Sequence, residues 1–188
     1  MDFIESEIEG LLILKSPVWQ DDRGFFREWF KADDLERGGV SFQTRQSNLS
    51  QSRRNVVRGL HYSIAPQGQA KVVTCVAGTL NDVIVDIRVG SPSYGRVVVV
   101  PLSAEEGLSV LLPEGVAHGF GVTSEHAVLS YLLSSPFNAT MELEINPFDD
   151  ELNVVWGVDG APIVSEKDGA APSLATRRAA NELPVFRR

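Results

Sequence analysis

The residues of this chain best placed to do chemistry are an arginine, a histidine and a lysine, in Arg58-Gly59-Leu60-His61-Tyr62 and Gln69-Ala70-Lys71. They interrupt sequence that is otherwise apolar and strand-like. Imidazole ordinarily gains and loses a proton near neutral pH, and two cations beside it suit an anionic substrate. Burying such a trio costs desolvation energy unless a ligand or partner offsets it. A satisfied core histidine beside two surface cations accounts for the same residues equally well. Side chains alternate between the two faces of a strand. Arg58 and His61 therefore point to opposite faces unless a bulge intervenes.

The elements that must position these groups read as strands. Turn signals recur at short intervals: Asp21-Asp22-Arg23-Gly24, Pro66-Gln67-Gly68, Ala77-Gly78, Gly90-Ser91-Pro92 and Pro113-Glu114-Gly115. Between them lie β-branched runs at 71–76, 81–88, 96–102, 108–112 and 127–133. Short strands at this spacing predict an all-β sandwich or barrel. Asp82-Val-Ile-Val-Asp86-Ile-Arg88 alternates polar and apolar residues, as a strand with one wet face does. Val97-Val-Val-Val100 reads as buried on both sides. Helix signals are confined to the ends: 31–37, closed by Gly38-Gly39, and 173–183, which opens on the N-cap Ser173 and stops before Pro184. One domain over 1–188 is expected, with a core at about 10–150 and a C-terminal appendage at about 151–188.

Composition narrows the function. The chain has 188 residues, 43% hydrophobic and 22% charged, with a net charge of −8. That charge argues against nucleic-acid binding, which needs a basic face, but leaves room for a small anion held by a few local cations. No apolar run approaches the roughly 20 residues of a membrane span. The acidic start Met1-Asp-Phe-Ile-Glu-Ser-Glu lacks the basic opening of a signal peptide. Cys75 is the only cysteine, which fits a cytoplasmic location.

Gly107 and Pro113-Glu-Gly-Val-Ala-His118 have the spacing of the second half of a cupin motif. Metal-binding cupins add an earlier His-x-His, and here the corresponding segment is His61-Tyr62-Ser63. With three histidines in all, a three-histidine metal site needs His126 to leave its Thr-Ser-Glu-His turn. No metal is expected, and His118 reads as a hydrogen-bonded histidine at the barrel mouth.

Several pieces together resemble one family. They are Asp22-Arg23-Gly24-Phe-Phe-Arg-Glu28, Gln46-Ser-Asn48-Leu-Ser50, Val57-Arg58-Gly-Leu-His61-Tyr62, Gln69-Ala-Lys71, Val85-Asp86-Ile-Arg88-Val-Gly90-Ser-Pro92, Leu112-Pro-Glu-Gly-Val-Ala-His118-Gly-Phe120, Ser130-Tyr131 and Ser165-Glu-Lys167-Asp168. In this order, over nearly the whole chain, they are similar to the dTDP-4-dehydrorhamnose 3,5-epimerase family. The resemblance implies a cupin-type β-barrel (jelly roll), a homodimer, no metal and no organic cofactor. It also implies a dTDP-linked 4-keto-6-deoxy sugar as substrate. A ketone at C4 acidifies the protons on C3 and C5. Inversion then needs a base on one face, an acid on the other, and a donor for the enolate oxygen.

The resemblance assigns His61 as the base, Asp168 as the carboxylate that orients it and Tyr131 as the acid. Lys71 becomes the enolate stabiliser and His118 a secondary donor. Arg23 and Arg58 match the pyrophosphate contacts, a task suited to the guanidinium fork. Glu28, Gln46 and Asn48 match nucleotide contacts, some of which a neighbouring subunit supplies in the family. Glu142 and Lys167 match two further ligand contacts. Phe25, Phe26 and Trp29 are candidates for stacking on thymine and equally for core packing.

The chain departs from the family at one informative position. Where a second tyrosine commonly stands six residues after the first, it carries Phe137, which can neither donate nor accept a proton. Inversion of both carbons, or of C3 or C5 alone, are both open, and a specialised antibiotic-sugar pathway is a natural setting. The alternatives are an enzyme of another class (a related nucleotide-sugar cupin such as a 3,4-ketoisomerase, or a metal cupin oxygenase) and a non-catalytic sugar-binding module.

Overall fold

In this computed structural model, residues 1–66 and 68–187 are described. The fold is all-β, with thirteen strands and three short helices among the described residues. The strands are β1 (Asp2–Glu5), β2 (Leu12–Lys15), β3 (Trp19–Asp21), β4 (Gly24–Phe26), β5 (Gln46–Arg53), β6 (Val57–Ser63), β7 (Lys71–Ala77), β8 (Thr79–Val85), β9 (Val97–Ser103), β10 (Leu108–Leu112), β11 (Ala117–Val122), β12 (His126–Leu133) and β13 (Glu142–Glu144). The helices are α1 (Ala32–Arg37), α2 (Glu166–Gly169) and α3 (Leu174–Ala179).

Two antiparallel sheets carry the architecture. One runs β1-β2-β10-β7-β12-β5 and the other β13-β6-β11-β8-β9, with β3 and β4 as a separate hairpin. Their facing sides supply one core, including Val73, Cys75, Val110 and Leu129 from the first sheet and Leu80, Ile84, Phe120 and Val122 from the second. The outer face of the six-stranded sheet is covered by the segment that carries Trp29, Phe30, Leu35 and Phe42. The outer face of the five-stranded sheet is covered by the C-terminal appendage through Leu152, Trp156, Leu174 and Leu183. Trp29 is thus partly buried and packs against the core, whereas Phe25 and Phe26 are exposed on the β3–β4 hairpin.

Three sequence expectations are corrected. The polar side of Asp82-Val-Ile-Val-Asp86-Ile-Arg88 is not wet: Asp82, Asp86 and Arg88 are all buried, and β8 ends at Val85. Asp82 lies between the sheets, and Asp86 is enclosed by Arg88, Ser91 and Ser93. The valine run in β9 is not buried on both sides, because β9 is the edge strand of its sheet and Val99 is exposed. His126 is not in a turn but is the exposed first residue of β12.

The helix at 31–37 is found as α1. The C-terminal helix is shorter than its pattern, ending at Ala179, though Ser173 caps it as expected by accepting from Thr176 N. The short helix α2 was not foreseen. It is nucleated by Ser165, whose side chain accepts from Asp168 N at 3.0 Å.

Candidate active site

The parity problem at Arg58 and His61 is solved by a bulge. On β11, His118 pairs with His61 and Phe120 with Arg58, so one residue of β11 faces two of β6. Directly paired residues share a face. Phe120 and His118 lie on the inner face of β11, so Arg58 and His61 share one face of β6, with Arg58 at its exposed end. Gly59 makes this possible: its φ is +128°, and a Cβ there would lie 2.6 Å from Gly119 Cα. Any side chain would push β6 off β11.

His61 is held from behind by the appendage. Its Nε2 lies 2.8 Å from Asp168 Oδ1 on α2. The imidazole is partly open, with 40% of its side chain exposed, whereas the Asp168 side chain is 6% exposed. Burial pushes the Asp168 carboxyl up, but the His61 hydrogen bond and charge, with Gly59 N and the Ser165 hydroxyl, hold it below its ordinary value of 3.8. An ionised Asp168 accepts the Nε2 proton, which leaves Nδ1 as the basic nitrogen.

A cavity of about 160 Å³ opens against this imidazole, lined by Asn48, His61, Gln69, Lys71, Tyr131, Leu133, Phe137, Glu142, Leu143, Glu144 and Lys167. His61 comes from the five-stranded sheet, and Lys71 and Tyr131 come from the six-stranded one, so imidazole and phenol stand on opposite walls. The cavity is smaller than the about 300 Å³ at the lower end of drug-sized pockets.

Lys71 is half-buried at the start of β7. Burial drives its ammonium toward the neutral amine, and the negative charges of Glu142 and Asp82 oppose this only in part, so its pKa is lowered. Lys167 closes one side of the cavity by pairing with Glu144 at 3.0 Å. A second histidine–carboxylate pair lies deeper, with His118 Nε2 2.7 Å from Asp82 Oδ1.

Of the twelve candidate residues, the cavity wall brings together His61, Lys71, Tyr131, Asn48, Glu142 and Lys167. Asp168 and His118 stand directly behind it, since His118 is the cross-strand partner of His61. Gln46 adjoins the rim: its amide donates to Asn48 Oδ1, and its carbonyl oxygen accepts from Phe137 N, both at 2.9 Å. Arg58 sits apart from the wall and is exposed, its Nε donating to Ser52 Oγ at 2.9 Å. Arg23 and Glu28 are not brought to the cavity. Arg23 is 89% exposed and paired with Asp21 within its own hairpin.

Sequence reasoning missed Asp82, Gln69 and Glu144. Asp82 had a signal, its place in an alternating strand, but the polar face was assigned to solvent. Gln69 adjoined Lys71 in a quoted motif. Glu144 carried no local signal.

A larger cavity of about 480 Å³ lies between the C-terminal segment and the 63–66 loop. Its buried cation, Arg88, is already engaged by Asp86 and by Glu9 O. Among the described residues no group of three or more His, Cys, Asp or Glu is arranged to hold a metal, and no helix is long and apolar enough to cross a membrane.

A family model described as dTDP-4-dehydrorhamnose 3,5-epimerase matches residues 5–176. A dTDP-4-dehydro-6-deoxyglucose 3-epimerase of a Streptomyces species is 39% identical over 180 residues, 95% of this chain and 92% of the relative. A dTDP-4-dehydrorhamnose 3,5-epimerase of Mycobacterium tuberculosis (strain CDC 1551 / Oshkosh) is 40% identical over 183 residues, 96% and 91% of the two chains. The crystal structure of NovW, a 4-keto-6-deoxy sugar epimerase from the novobiocin gene cluster of Streptomyces spheroides, matches with a TM-score of 0.94. It is 40% identical, covering 99% of this chain and 94% of that one. ChmJ, a 3'-monoepimerase from Streptomyces bikiniensis in complex with dTDP-quinovose, matches with a TM-score of 0.90 at 38% identity, covering 95% and 90%. This chain belongs to the dTDP-4-dehydrorhamnose 3,5-epimerase family and is an isomerase.

Proposed function

We propose that the protein inverts C3, C5 or both in a dTDP-linked 4-keto-6-deoxyhexose. The observation that carries this reading is the cavity with His61 on one wall and Tyr131 on the other, with Lys71 beside them. His61 Nδ1 takes the proton from the carbon next to the ketone, and the C–H electrons move into the C4 carbonyl to form an enolate. Lys71 gives a hydrogen bond to the developing oxyanion, where a fixed cation has most effect. Tyr131 then delivers its phenolic proton to the opposite face of the same carbon. The imidazolium and the phenolate return to their starting states by exchange with water. Asp168 orients the imidazole and stabilises it once protonated.

The sugar occupies the cavity, with Glu142, Lys167 and Asn48 as its polar contacts and His118 as a supporting group. The nucleotide lies along the rim, its pyrophosphate toward Arg58 and its base near Gln46 and Asn48. Arg23 and Glu28 serve the pocket of a neighbouring subunit in a homodimer. The outward position of their hairpin, with Trp19 stacked on Phe26 at 5.7 Å and both exposed, supports this. The two facing sheets are read as a single jelly-roll barrel of the cupin type, one domain from 1 to 188, working in the cytoplasm. The chemistry as drawn asks for no metal or organic cofactor.

One observation favours inversion of a single carbon. Phe137 lines the cavity where a second phenol is common in the family, and 3-epimerases are among the similar proteins. Proton NMR of dTDP-4-keto-6-deoxyglucose in deuterated water tests both readings. Deuterium entering at C3, C5 or both supports epimerisation, and the position reports the regiochemistry. No exchange by the wild-type protein, with this substrate bound, would overturn it.

A further inference from the structure

Asp82 is difficult to explain as a structural residue. It sits between Leu80 and Ile84 on the inner face of β8, both of them in the core. A carboxylate there costs several kcal/mol of desolvation, and a valine would fill the same space. Structural carboxylates in cores are normally saturated with donors. Asp82 is fully buried, yet only Oδ1 has a partner, the His118 ring. Among the described residues its Oδ2 is buried with no partner, and so is Oε1 of Glu142.

Glu142 lines the cavity together with Lys71, and Asp82 lies behind it as the partner of His118. Among the described residues Lys71 forms no ion pair within 4.0 Å, yet both acids act on its charge. We propose that Asp82 is a positioning residue of the active site: it orients His118 through one oxygen and presents its negative charge to Lys71 through the other. This rests on the epimerase reading. A lysine paired tightly to a carboxylate has its hydrogen bonds committed, and a buried lysine with no counter-charge is a neutral amine. Asp82 and Glu142 favour the ammonium against the effect of burial without pairing with it, so its hydrogen bonds remain for the enolate oxygen. The other titratable groups around Lys71 are His61 on β6, His118 on β11, Tyr131 on β12, Glu144 on β13 and Lys167 on α2.

The test is Asp82→Asn in the full chain. Asparagine keeps the size and can still accept from His118 while removing the charge. The expected result is a kcat lowered by about 10²-fold, the size of one lost electrostatic contact, with KM within about threefold. The alkaline limb of the kcat profile moves to lower pH, because Lys71 loses its proton sooner without the neighbouring charge. Carbon-13 NMR of the lysine ε position reads the same shift in the unliganded protein. An unchanged kcat, or a lowered kcat with the alkaline limb and the Lys71 titration unmoved, overturns the proposal.

A measurement on the wild type guards against a variant that fails to fold. Nitrogen-15 NMR of His118 must find its proton on Nε2, and a proton on Nδ1 alone overturns the assignment. The Lys71 and His118 readouts need no turnover. A wild type that epimerises nothing would therefore refute the epimerase reading while leaving the Asp82 interactions separately tested.

Discussion

Asp82 and Asp86 are both buried carboxylates from one alternating stretch, and they are treated in opposite ways. Asp86 is saturated. Its Oδ1 accepts from Arg88 N and Nε, and its Oδ2 from Arg88 Nη2, Ser91 Oγ and Ser93 Oγ. Phe186 lies over the guanidinium at 5.0 Å, so both charges are enclosed. Asp82 is half-partnered: among the described residues its Oδ2 has no partner, and neither has Glu142 Oε1 on the cavity wall. A fully satisfied polar cluster secures a loop, here the one that leaves β8. A cluster with unpartnered oxygens can still turn its charge toward a neighbouring group, as proposed for Asp82. The same contrast separates the His61 imidazole, partly open to the cavity, from Arg88, which is spent on its neighbours.

The sharpest way to break this contrast is to exchange the symptoms. His61→Ala should lower deuterium exchange by about 10³- to 10⁴-fold, the scale of a lost general base. Thermal stability should fall less than in Asp86→Ala, because the imidazole is part-exposed and Asp168 keeps Gly59 N and Ser165 as partners. If exchange persisted at the wild-type rate, the base would lie elsewhere and the cavity would lose its leading role.

Asp86→Ala should do the reverse. It strands the buried Arg88 and two serine hydroxyls, at a cost of about 3–5 kcal/mol. Urea unfolding measures this, and the kcat of whatever remains folded should stay near that of the wild type. A fall in kcat without a fall in stability would place Asp86 in the chemistry and erase the distinction.

A gentler separation comes from acid. Burial pushes the Asp86 carboxyl up, but Arg88, Ser91 and Ser93 hold it below its ordinary value of 3.8. A group depressed in the folded state stabilises above its unfolded pKa, and that contribution is lost as pH falls through the folded value. Asp168 is depressed in the same sense. Wild-type stability should therefore fall below about pH 4. In Asp86→Asn that fall should be shallower, starting from a lower plateau. Denaturant melts from pH 6 downward check it, and equal slopes in the two proteins would show that Asp86 is not depressed by folding.

These contrasts also show what could be read from residues in a row. Alternation in Asp82-Val-Ile-Val-Asp86-Ile-Arg88 correctly reported two unlike faces. It could not report which face meets water, because a sheet that encloses a site can be polar on its inner side. Parity alone required a bulge between Arg58 and His61, and the register of β6 on β11 supplies it. By contrast, Ser165-Glu-Lys167-Asp168 looks like a surface turn. Only family resemblance connected Asp168 to His61, 107 residues away, since a contact between sheet and appendage leaves no local periodicity. Val97 to Val100 looked like a central strand because composition does not reveal which strand lies at an edge. The Ser173 cap and the α1 boundary were legible because both depend on neighbours within one helical turn.

The smallest expected effect concerns the rim. Phe137 is 57% exposed, and its backbone N is fixed by Gln46 at 2.9 Å, so the ring position is set by the main chain rather than by packing. Phe137→Tyr should change stability by no more than about 0.5 kcal/mol, as exposed substitutions do. It adds one hydroxyl beside a cavity whose other phenol, Tyr131, stands on the β12 wall. If the absent hydroxyl limits the enzyme to one carbon, the variant should admit deuterium at the second carbon while the first exchanges at its usual rate. If the exchange pattern is identical, the choice of carbon is made inside the cavity by His61, Lys71 and Tyr131. The rim would then hold the nucleotide without directing the chemistry. Either pattern is read in the same NMR time course, with the first carbon as its internal reference.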